Sequence, residues 1–448
     1  MISPALLEIV RPLAERFRDD DRKLFLVGGI VRDELLAHGT HTWADIDLAT
    51  DARPDDTKRL VAPLASAVWN QGERFGTIGC RIGAHPFEIT TFRGEAYEPG
   101  SRKPTVVFAD ALESDLSRRD FTINAIAADA FTGEMYDPFD GRGDLASAVL
   151  RTPLGADVSF SDDPLRMLRA ARFIARFGLS VVPDIDRAIE RHRDRLRIVS
   201  SERVRDELHK LLAVDDPRRG LSFIVGHDLL RPWLPDLALL ADVRDPDHGG
   251  VDVLAHTFDV VVACRNDPVL RLAALLHDIG KAVGFDDHAA RGASRAAEVL
   301  VTLRHANGDT RDIRALVASH HRLHDHEGPW RPNDVRALLD DAGALIDRLV
   351  ELSAADARAR SGDLAARRSA NVAAFVRERS AMGETAADLR PELDGSQIMA
   401  ILGIGPGRAV GEARGFLRSL RLAEGAIGTE RATEALCAWW AARQRHGE

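Results

Sequence analysis

Leu24-Phe-Leu-Val-Gly28-Gly29-Ile-Val-Arg32-Asp33, followed closely by Ala44-Asp45-Ile-Asp47-Leu-Ala-Thr50, decides how the first third of the chain is read. Leu24 to Val27 is an apolar run that stops at two glycines before a helical pattern, so it predicts a buried strand, a tight turn and a helix. Free backbone N–H groups at such a helix start suit a phosphate. In the second stretch Asp45 and Asp47 stand two apart in an apolar run, and the strand period of two turns both carboxylates to one face. At about 6–7 Å apart they have the hard oxygen ligands that Mg²⁺ takes in phosphoryl chemistry. Each half alone is common, since Gly-Gly closes many turns and Asp-x-Asp ends many strands.

Working outward, 448 residues at 45% hydrophobic and 29% charged suffice for two to four cores. No apolar run reaches membrane-spanning length and the N-terminus lacks the pattern of a signal peptide, which predicts a cytoplasmic protein with no membrane role. Cys80, Cys264 and Cys437 lie far apart with no Cys-x-x-Cys, which argues against a zinc knuckle and a disulfide framework. The net charge of −10 argues against a uniformly basic nucleic-acid binder. Residues 165–219, however, carry thirteen Arg and one Lys against nine acidic residues, so a polyanion would be drawn there. Arg187, Arg191 and Arg195, spaced by four, are expected on one helical face of that segment.

Residues 4–18 have helical apolar spacing. Gly76–Gly83 and His85–Arg93 read as a strand pair, with Glu88 either a third acidic group beside Asp45 and Asp47 or an exposed strand residue. Residues 95–118 look like a mobile loop, and Asp115-Leu-Ser-Arg118-Arg119-Asp120-Phe-Thr-Ile-Asn124 is expected to open a helix. Paired arginines there suit a triphosphate, because each guanidinium grips phosphate oxygens through two parallel hydrogen bonds. Asp137-Pro-Phe-Asp-Gly141-Arg-Gly-Asp144 follows as a turn cluster. In Asp162-Asp163-Pro-Leu-Arg166-Met-Leu-Arg169-Ala-Ala-Arg172, Asp163 and Arg166 are three apart and are expected on one helix face.

From about residue 250 the chemistry changes. His256 precedes one amphipathic helix, His277-Asp278 ends a strongly apolar one, and His288, His320, His321 and Asp356 follow. Such ligands suit a divalent transition metal. Near the end, Leu393-Asp-Gly395 and Ile401-Leu-Gly403-Ile-Gly405-Pro406-Gly407 predict a helix, a tight turn and a second helix.

The glycine and aspartate stretches, Arg118-Arg119-Asp120 with Asn124, and Asp162-Asp163-x-x-Arg166 resemble the class II tRNA nucleotidyltransferase and bacterial poly(A) polymerase family. Asp162 stands where that family usually has Glu. His256, His277-Asp278 and Asp356 resemble the HD superfamily of metal-dependent phosphohydrolases. The resemblance implies an α+β protein: a nucleotidyltransferase head of mixed sheet and helices at 1–150, an Arg-rich all-α neck at 151–245, an HD domain at 246–365 and an RNA-contacting tail at 366–448. It implies template-independent addition of the 3′-terminal CCA of tRNA from CTP and ATP. In that reading Asp45 and Asp47 hold Mg²⁺. Gly28, Gly29, Arg32, Arg118, Arg119, Asp120, Asn124, Arg169 and Arg172 bind the nucleotide, and Asp163 with Arg166 reads its base. His256, His277, Asp278 and Asp356 would hold the HD metal. No protein partner is evident. The rivals are a poly(A) polymerase of the same family and an HD phosphohydrolase with a degenerate head.

Overall fold

The computed structural model describes residues 1–37, 43, 45–70, 72–96, 105–109, 111–246 and 250–445. The chain divides into two compact units, Met1–Pro232 and Trp233–Glu448.

The first unit opens with α1 (Pro4–Asp19), whose Ser3 cap accepts from the Leu6 N–H and whose first residue is a proline, both signals of a helix start. A seven-stranded sheet follows, built from β1 (Leu24–Val27), β2 (Ile46–Thr50), β3 (Ala67–Trp69), β4 (Thr77–Ile82), β5 (His85–Thr91), β8 (Ala127–Asp129) and β9 (Met135–Tyr136). A separate hairpin pairs β6 (Arg93–Ala96) with β7 (Thr105–Phe108). The sheet order is β3-β4-β5-β2-β1-β8-β9, with β2 and β5 parallel and the other neighbours antiparallel. All four β1 residues are buried because both faces are covered. Leu24 and Leu26 join Leu6, Val10, Leu13 and Phe17 on one side, while Phe25 and Val27 join Phe92, Leu116 and Ala125 on the other. Each of the leucine, valine and phenylalanine side chains contributes about 1.5–3 kcal/mol by leaving water. The helices α2 (Gly29–Ala37), α3 (Pro54–Val61), α4 (Leu112–Ser117) and α5 (Gly141–Ala146) complete the head.

Behind the head come α6 (Ala156–Asp162), α7 (Arg166–Phe177), α8 (Pro183–His192), α9 (Ser201–Leu212) and α10 (Arg218–Gly226). The second unit is helical from α11 (Asp236–Leu239) onward. It holds α12 (Val253–Ala263), α13 (Pro268–Leu276), α14 (His288–Thr302), α15 (Asn307–Ser319), α16 (Pro332–Ala342), α17 (Ile346–Arg358) and α18 (Gly362–Met382). Its tail is the expected helix–turn–helix, α19 (Gly395–Leu402) and α20 (Arg408–Glu424), followed by α21 (Gly428–Arg445). Gly403 ends α19 at φ +65°, a left-handed cap that favours glycine. A head of mixed sheet with helices followed by a long helical region is the α+β architecture expected from the sequence.

Four local expectations need correction. The segment 95–118 is not an irregular loop where it is described: it holds the β6–β7 hairpin and α4, while residues 97–104 and 110 lie outside the described residues. Asp115–Asn124 closes a helix instead of opening one. Asp120 Oδ1 takes the Phe121 N–H, Phe121 is extended, and only a single 3₁₀ turn at Thr122–Asn124 follows. Asp163 and Arg166 do not share a helix: Pro164 disfavours helical geometry at Asp163, which is extended at φ −135° and caps α6, while Arg166 begins α7. Finally, α8 stops at His192, so Arg195 falls in a 3₁₀ segment off the face of Arg187 and Arg191.

Candidate active site and metal cluster

In β2 the buried Ile46 and Leu48 alternate with exposed Asp45 and Asp47, which puts both carboxylates on the face opposite α1. Parallel pairing then sets Glu88 of β5 directly beside Asp47. The three acids therefore share one face. The Asp47 carboxyl is pushed above its usual range, first by the protein packed around it, then by Glu88 and Asp45, with Arg119 acting in the opposite direction. Water still reaches Asp47, so it lies in a cleft and not in the core. Three mutually repelling carboxylates of this kind fit a divalent cation, whose charge relieves the repulsion.

The turn after β1 stands beside this face. Gly28 is left-handed at φ +76°, a conformation that favours glycine, and a Cβ there would stand 2.6 Å from the tip of the Arg119 guanidinium and displace it. Arg119 is anchored by Asp115 Oδ2 at 3.2 Å and Arg118 by Asp115 Oδ1 at 2.6 Å. Burial alone would raise the Asp115 carboxyl, yet these two guanidiniums hold it below its usual value. Arg118, Arg119, Ser159, Asp162 and Arg166 line a cavity of about 340 Å³.

A polar chain runs from the turn into the helices behind it. Arg32 of α2 donates to Asn124 Oδ1 and to Asp33 Oδ1, and lies 4.6 Å from the Phe177 ring centre. Asn124 Nδ2 donates to Asp120 Oδ1 at 2.9 Å, and Arg169 pairs with Asp120 Oδ2 at 2.6 Å. Burial would push the Asp120 carboxyl up, but Arg169 and Asn124 bring it to about 2. Arg169 and Arg172 both meet Glu207 of α9, at 3.5 and 2.9 Å. Asp163 and Arg166 are held separately: Arg203 Nη2 donates to Asp163 Oδ2 at 2.7 Å, and Arg166 donates to Ser159 Oγ at 2.9 Å and to the Arg118 carbonyl. Thus Gly28, Gly29, Arg32, Arg118, Arg119, Asp120, Asn124, Asp163, Arg166, Arg169 and Arg172 line or brace one region next to the acidic face. Asp115, Ser159, Glu207 and Arg203 escaped the sequence reading as functional positions. Asp115 was findable at three and four residues before the paired arginines.

In the second unit His256 of α12, His277 and Asp278 at the end of α13, and Asp356 of α17 are all buried together. His256 Nε2 lies 2.9 Å from Asp356 Oδ1, and His277 Nε2 lies 3.3 Å from Asp278 Oδ2. His277 donates through Nδ1 to the Ala274 carbonyl at 2.7 Å, which leaves the Nε2 lone pair facing the cluster. His256, His277 and Asp356 bring one ligand atom each within 4.8 Å of one another, so these residues fit a metal ion. Two cations also enter. Lys281 Nζ bonds Asp278 Oδ2 at 2.8 Å and Asp245 Oδ2 at 3.1 Å, while Arg360 reaches Asp245 at 2.9 Å and Asp356 at 3.2 Å. Burial raises the carboxyls of Asp278 and Asp356, but His277 and Lys281 around the first, and His256, His324 and Arg360 around the second, hold both well below the usual range. Asp245, Lys281 and Arg360 were missed from sequence. Lys281 and Arg360 stand three and four residues after their carboxylates, whereas Asp245 gives no local signal.

Comparison with known proteins agrees with this geometry. Residues 24–151 match the poly A polymerase head domain, 178–240 the probable RNA- and SrmB-binding site of polymerase A, and 254–361 the HD domain. The CCA-adding enzyme of Latilactobacillus sakei subsp. sakei is 38% identical over 228 residues, 51% of this chain and 55% of that protein. That of Streptococcus pneumoniae is 36% identical over 240 residues, 53% of this chain and 58% of the relative. The chain thus spans a little over half the length of the curated relatives it matches. Among solved structures, the Bacillus stearothermophilus CCA-adding enzyme in complex with CTP aligns at a TM-score of 0.72 and 24% identity, covering 99% of this chain and 100% of that one. The Thermotoga maritima CCA-adding enzyme complexed with tRNA aligns at 0.63 and 20%, covering 98% and 96%. These structural likenesses show the fold. Both the nucleotidyltransferase and the HD families are metal-dependent. Residues 24–151, 178–240 and 254–361 thus match, in that order, a poly A polymerase head, a polymerase A RNA-binding stretch and an HD domain.

Proposed function

We propose that this protein adds or repairs the 3′-terminal CCA of tRNA in the cytoplasm, using CTP and ATP and releasing pyrophosphate. The observation that carries the reading is the face shared by Asp45, Asp47 and Glu88 beside a glycine turn over which Arg119 is folded. It is supported by the CCA-adding enzymes among its relatives. Asp45 and Asp47, with Glu88 next to them, would hold Mg²⁺, which lowers the pKa of the RNA 3′-hydroxyl and balances charge at the α-phosphate and the departing pyrophosphate. The chain's own groups do the rest. The N–H groups opening α2 and the guanidiniums of Arg118 and Arg119 orient the triphosphate. Arg32, Asn124, Asp120, Arg169, Glu207 and Arg172 fix the wall against which the sugar and base rest. Asp163 accepts from the exocyclic amino group that cytosine and adenine share, and Arg166 donates to their unprotonated ring nitrogen.

The four-part division at 1–150, 151–245, 246–365 and 366–448 is the working map: head, neck, HD domain and RNA-contacting tail. In the third part His256, His277, Asp278 and Asp356 would hold a divalent transition metal. The deciding experiment incubates the pure protein with Mg²⁺, a tRNA transcript ending before CCA, and CTP and ATP singly and together. Growth by three nucleotides only when both are present supports the proposal. A long tail from ATP alone replaces it with poly(A) synthesis.

A further inference from the structure

Asp45 and Asp47 are held in different ways. The ladder of β2 with β5 begins at Ile46 opposite Phe87, and that with β1 covers Leu48 to Thr50, so Asp47 lies inside a paired strand. Asp45 precedes the first paired residue and has no ladder partner among the described residues. Its place is set from the other side, by Trp43, which stands two positions earlier and therefore within about 7 Å of Asp45 along the chain.

Trp43 is fixed by one buried carboxylate. Glu34 of α2, 2% exposed, accepts the Trp43 indole N–H on Oε1 at 2.8 Å and the Ser3 backbone N–H on Oε2 at 2.8 Å. Ser3 caps α1, a helix with no acidic residue in its first turn, so the carboxylate sits at the positive end of that helix. The Trp43 ring packs against the core formed by Ile2, Leu6, Val31 and Ile46. Packing alone does not require a glutamate here, since a leucine would fill the core without burying a charge. What the carboxylate adds is direction: two N–H groups from separate parts of the chain converge on its two oxygens. The helix that carries Gly29 and Arg32 thereby grips the approach to the strand that carries Asp47.

We propose that Glu34 is a positioning residue for nucleotide transfer: through Trp43 it sets where the Asp45 carboxylate stands relative to Asp47 and to the turn at Gly28. The inference rests on the reading of Asp45 and Asp47 as Mg²⁺ ligands. Glu34 acts from the core side of the sheet, opposite the face that the two aspartates share. It ties the acidic strand to the helix start that orients the triphosphate, so ion and phosphate are held in one frame. Groups that orient a metal ligand from behind are worth about 10–100-fold in metal affinity or activity, which is the size of effect expected.

The test uses the full chain and follows CTP binding by calorimetry in chelator and in Mg²⁺, alongside kcat and KM for CTP addition to a tRNA lacking CCA. In the parent Mg²⁺ should tighten CTP binding, and Asp45→Asn should remove that gain. Trp43→Phe keeps a ring in the core and removes the N–H. It should cut both the Mg²⁺-dependent gain and kcat by about tenfold or more, with CTP binding in chelator unchanged. Glu34→Leu should do the same, and should it fail to fold, Trp43→Phe decides. Glu34→Gln keeps an oxygen for the indole but turns an N–H group toward the Ser3 N–H, so it should lower the melting temperature yet restore most of the Mg²⁺ response. Val10→Ala, in the same core but outside these hydrogen bonds, should lower melting and leave the Mg²⁺ response intact. A full Mg²⁺ response and kcat in Trp43→Phe would overturn the positioning role. An equal loss in Val10→Ala at an equal drop in melting would overturn it too. A parent that gains no CTP affinity from Mg²⁺ and adds no nucleotide would overturn the reading of the head itself, and this inference with it.

Discussion

The head and the HD cluster each gather three carboxylates, and they treat the charge in opposite ways. Asp45, Asp47 and Glu88 lie where water reaches them, and the Asp47 carboxyl is pushed upward by the protein packed around it, with Glu88 and Asp45 adding to the shift and Arg119 opposing it. Asp245, Asp278 and Asp356 are buried, and their carboxyls are held below the usual range by Arg360 and Lys281 around the first, His277 and Lys281 around the second, and His256, His324 and Arg360 around the third. An open site with surplus negative charge suits ions that arrive with a nucleotide and leave with pyrophosphate. A closed, charge-matched site suits ions that stay.

The largest effect expected from breaking this contrast is on catalysis. Asp45→Ala or Asp47→Ala should lower nucleotide incorporation by a factor on the order of 10³ or more, since in the proposed reaction several kcal/mol of transition-state charge stabilisation would depend on ions held there. Near-normal incorporation would remove the head site from the chemistry. Stability should move the other way. The folded-state pKa of Asp47 is raised, so the native chain binds this proton more readily than the unfolded chain. The group's contribution to stability therefore falls as pH rises past about 3.9 toward the raised value. Asp47→Asn and the parent should melt alike in acid and diverge toward neutrality, with the variant melting higher until Mg²⁺ is added. A parent that melts higher without divalent ions would show that the head carboxylates are compensated after all.

The HD cluster predicts the reverse. Arg360→Ala leaves Asp245 and Asp356 short of a buried cation, and breaking such a pair costs roughly 3–5 kcal/mol. Thermal melts in chelator should drop by roughly 10 °C. Excess Mn²⁺ should recover much of the loss, and nucleotide incorporation at 25 °C should be unchanged. Equal melting of variant and parent in chelator would mean that the cluster's charge is balanced elsewhere.

A smaller effect separates recognition from catalysis. Asp163→Ala and Arg166→Ala should each lower the preference for CTP and ATP over UTP and GTP by about 1–3 kcal/mol, because uracil and guanine present a carbonyl beside an N–H. Arg203→Ala, which frees the Asp163 carboxylate, should erode the same preference less. Competition among the four nucleotides on a tRNA lacking CCA measures it. Equal loss of rate for all four would make these residues braces of the wall and not readers of the base.

How much of this was readable in advance follows physical range. The strand–turn–helix at Leu24–Arg32 and the shared face of Asp45 and Asp47 are set by neighbours a few residues apart, and periodicity exposes them. The alignment of Glu88 with Asp47 is a matter of strand register between β5 and β2, which no local pattern encodes. Spacing misled at Asp163 and Arg166, because three residues mean one face only when the helix is continuous, and Pro164 breaks it. In the HD cluster the histidines were visible by type. Their convergence on Asp278 depends on α12, α13, α14 and α15 meeting, which spacing alone does not encode.

The smallest effect expected concerns RNA affinity and sharpens the view of the arginine-rich neck. The trio Arg187, Arg191 and Arg195 is a poor probe: Arg191 pairs with Asp157 at 2.7 Å, Arg195 bonds Ser161 at 3.0 Å and Arg187 lies 3.7 Å from Asp184, so reversing them would disturb α6 and α8 as well as any RNA. Arg193 and Arg197, in the 3₁₀ segment after α8, are exposed and have no acidic partner among the described residues. Their guanidiniums are therefore available to phosphates at no structural cost. Arg193→Glu with Arg197→Glu should leave the melting temperature within about 1 °C, since exposed substitutions away from special contacts shift stability by about half a kcal/mol at most. The same pair should weaken tRNA binding and reduce the slope of log affinity against log salt by about 0.7–0.9 for each phosphate that is no longer neutralised. Titrations between roughly 50 and 200 mM salt resolve that change. A salt slope identical to the parent's would place the RNA on other surfaces and make the basic neck a solvated face. A flattened slope with unchanged melting would assign these arginines to the polyanion.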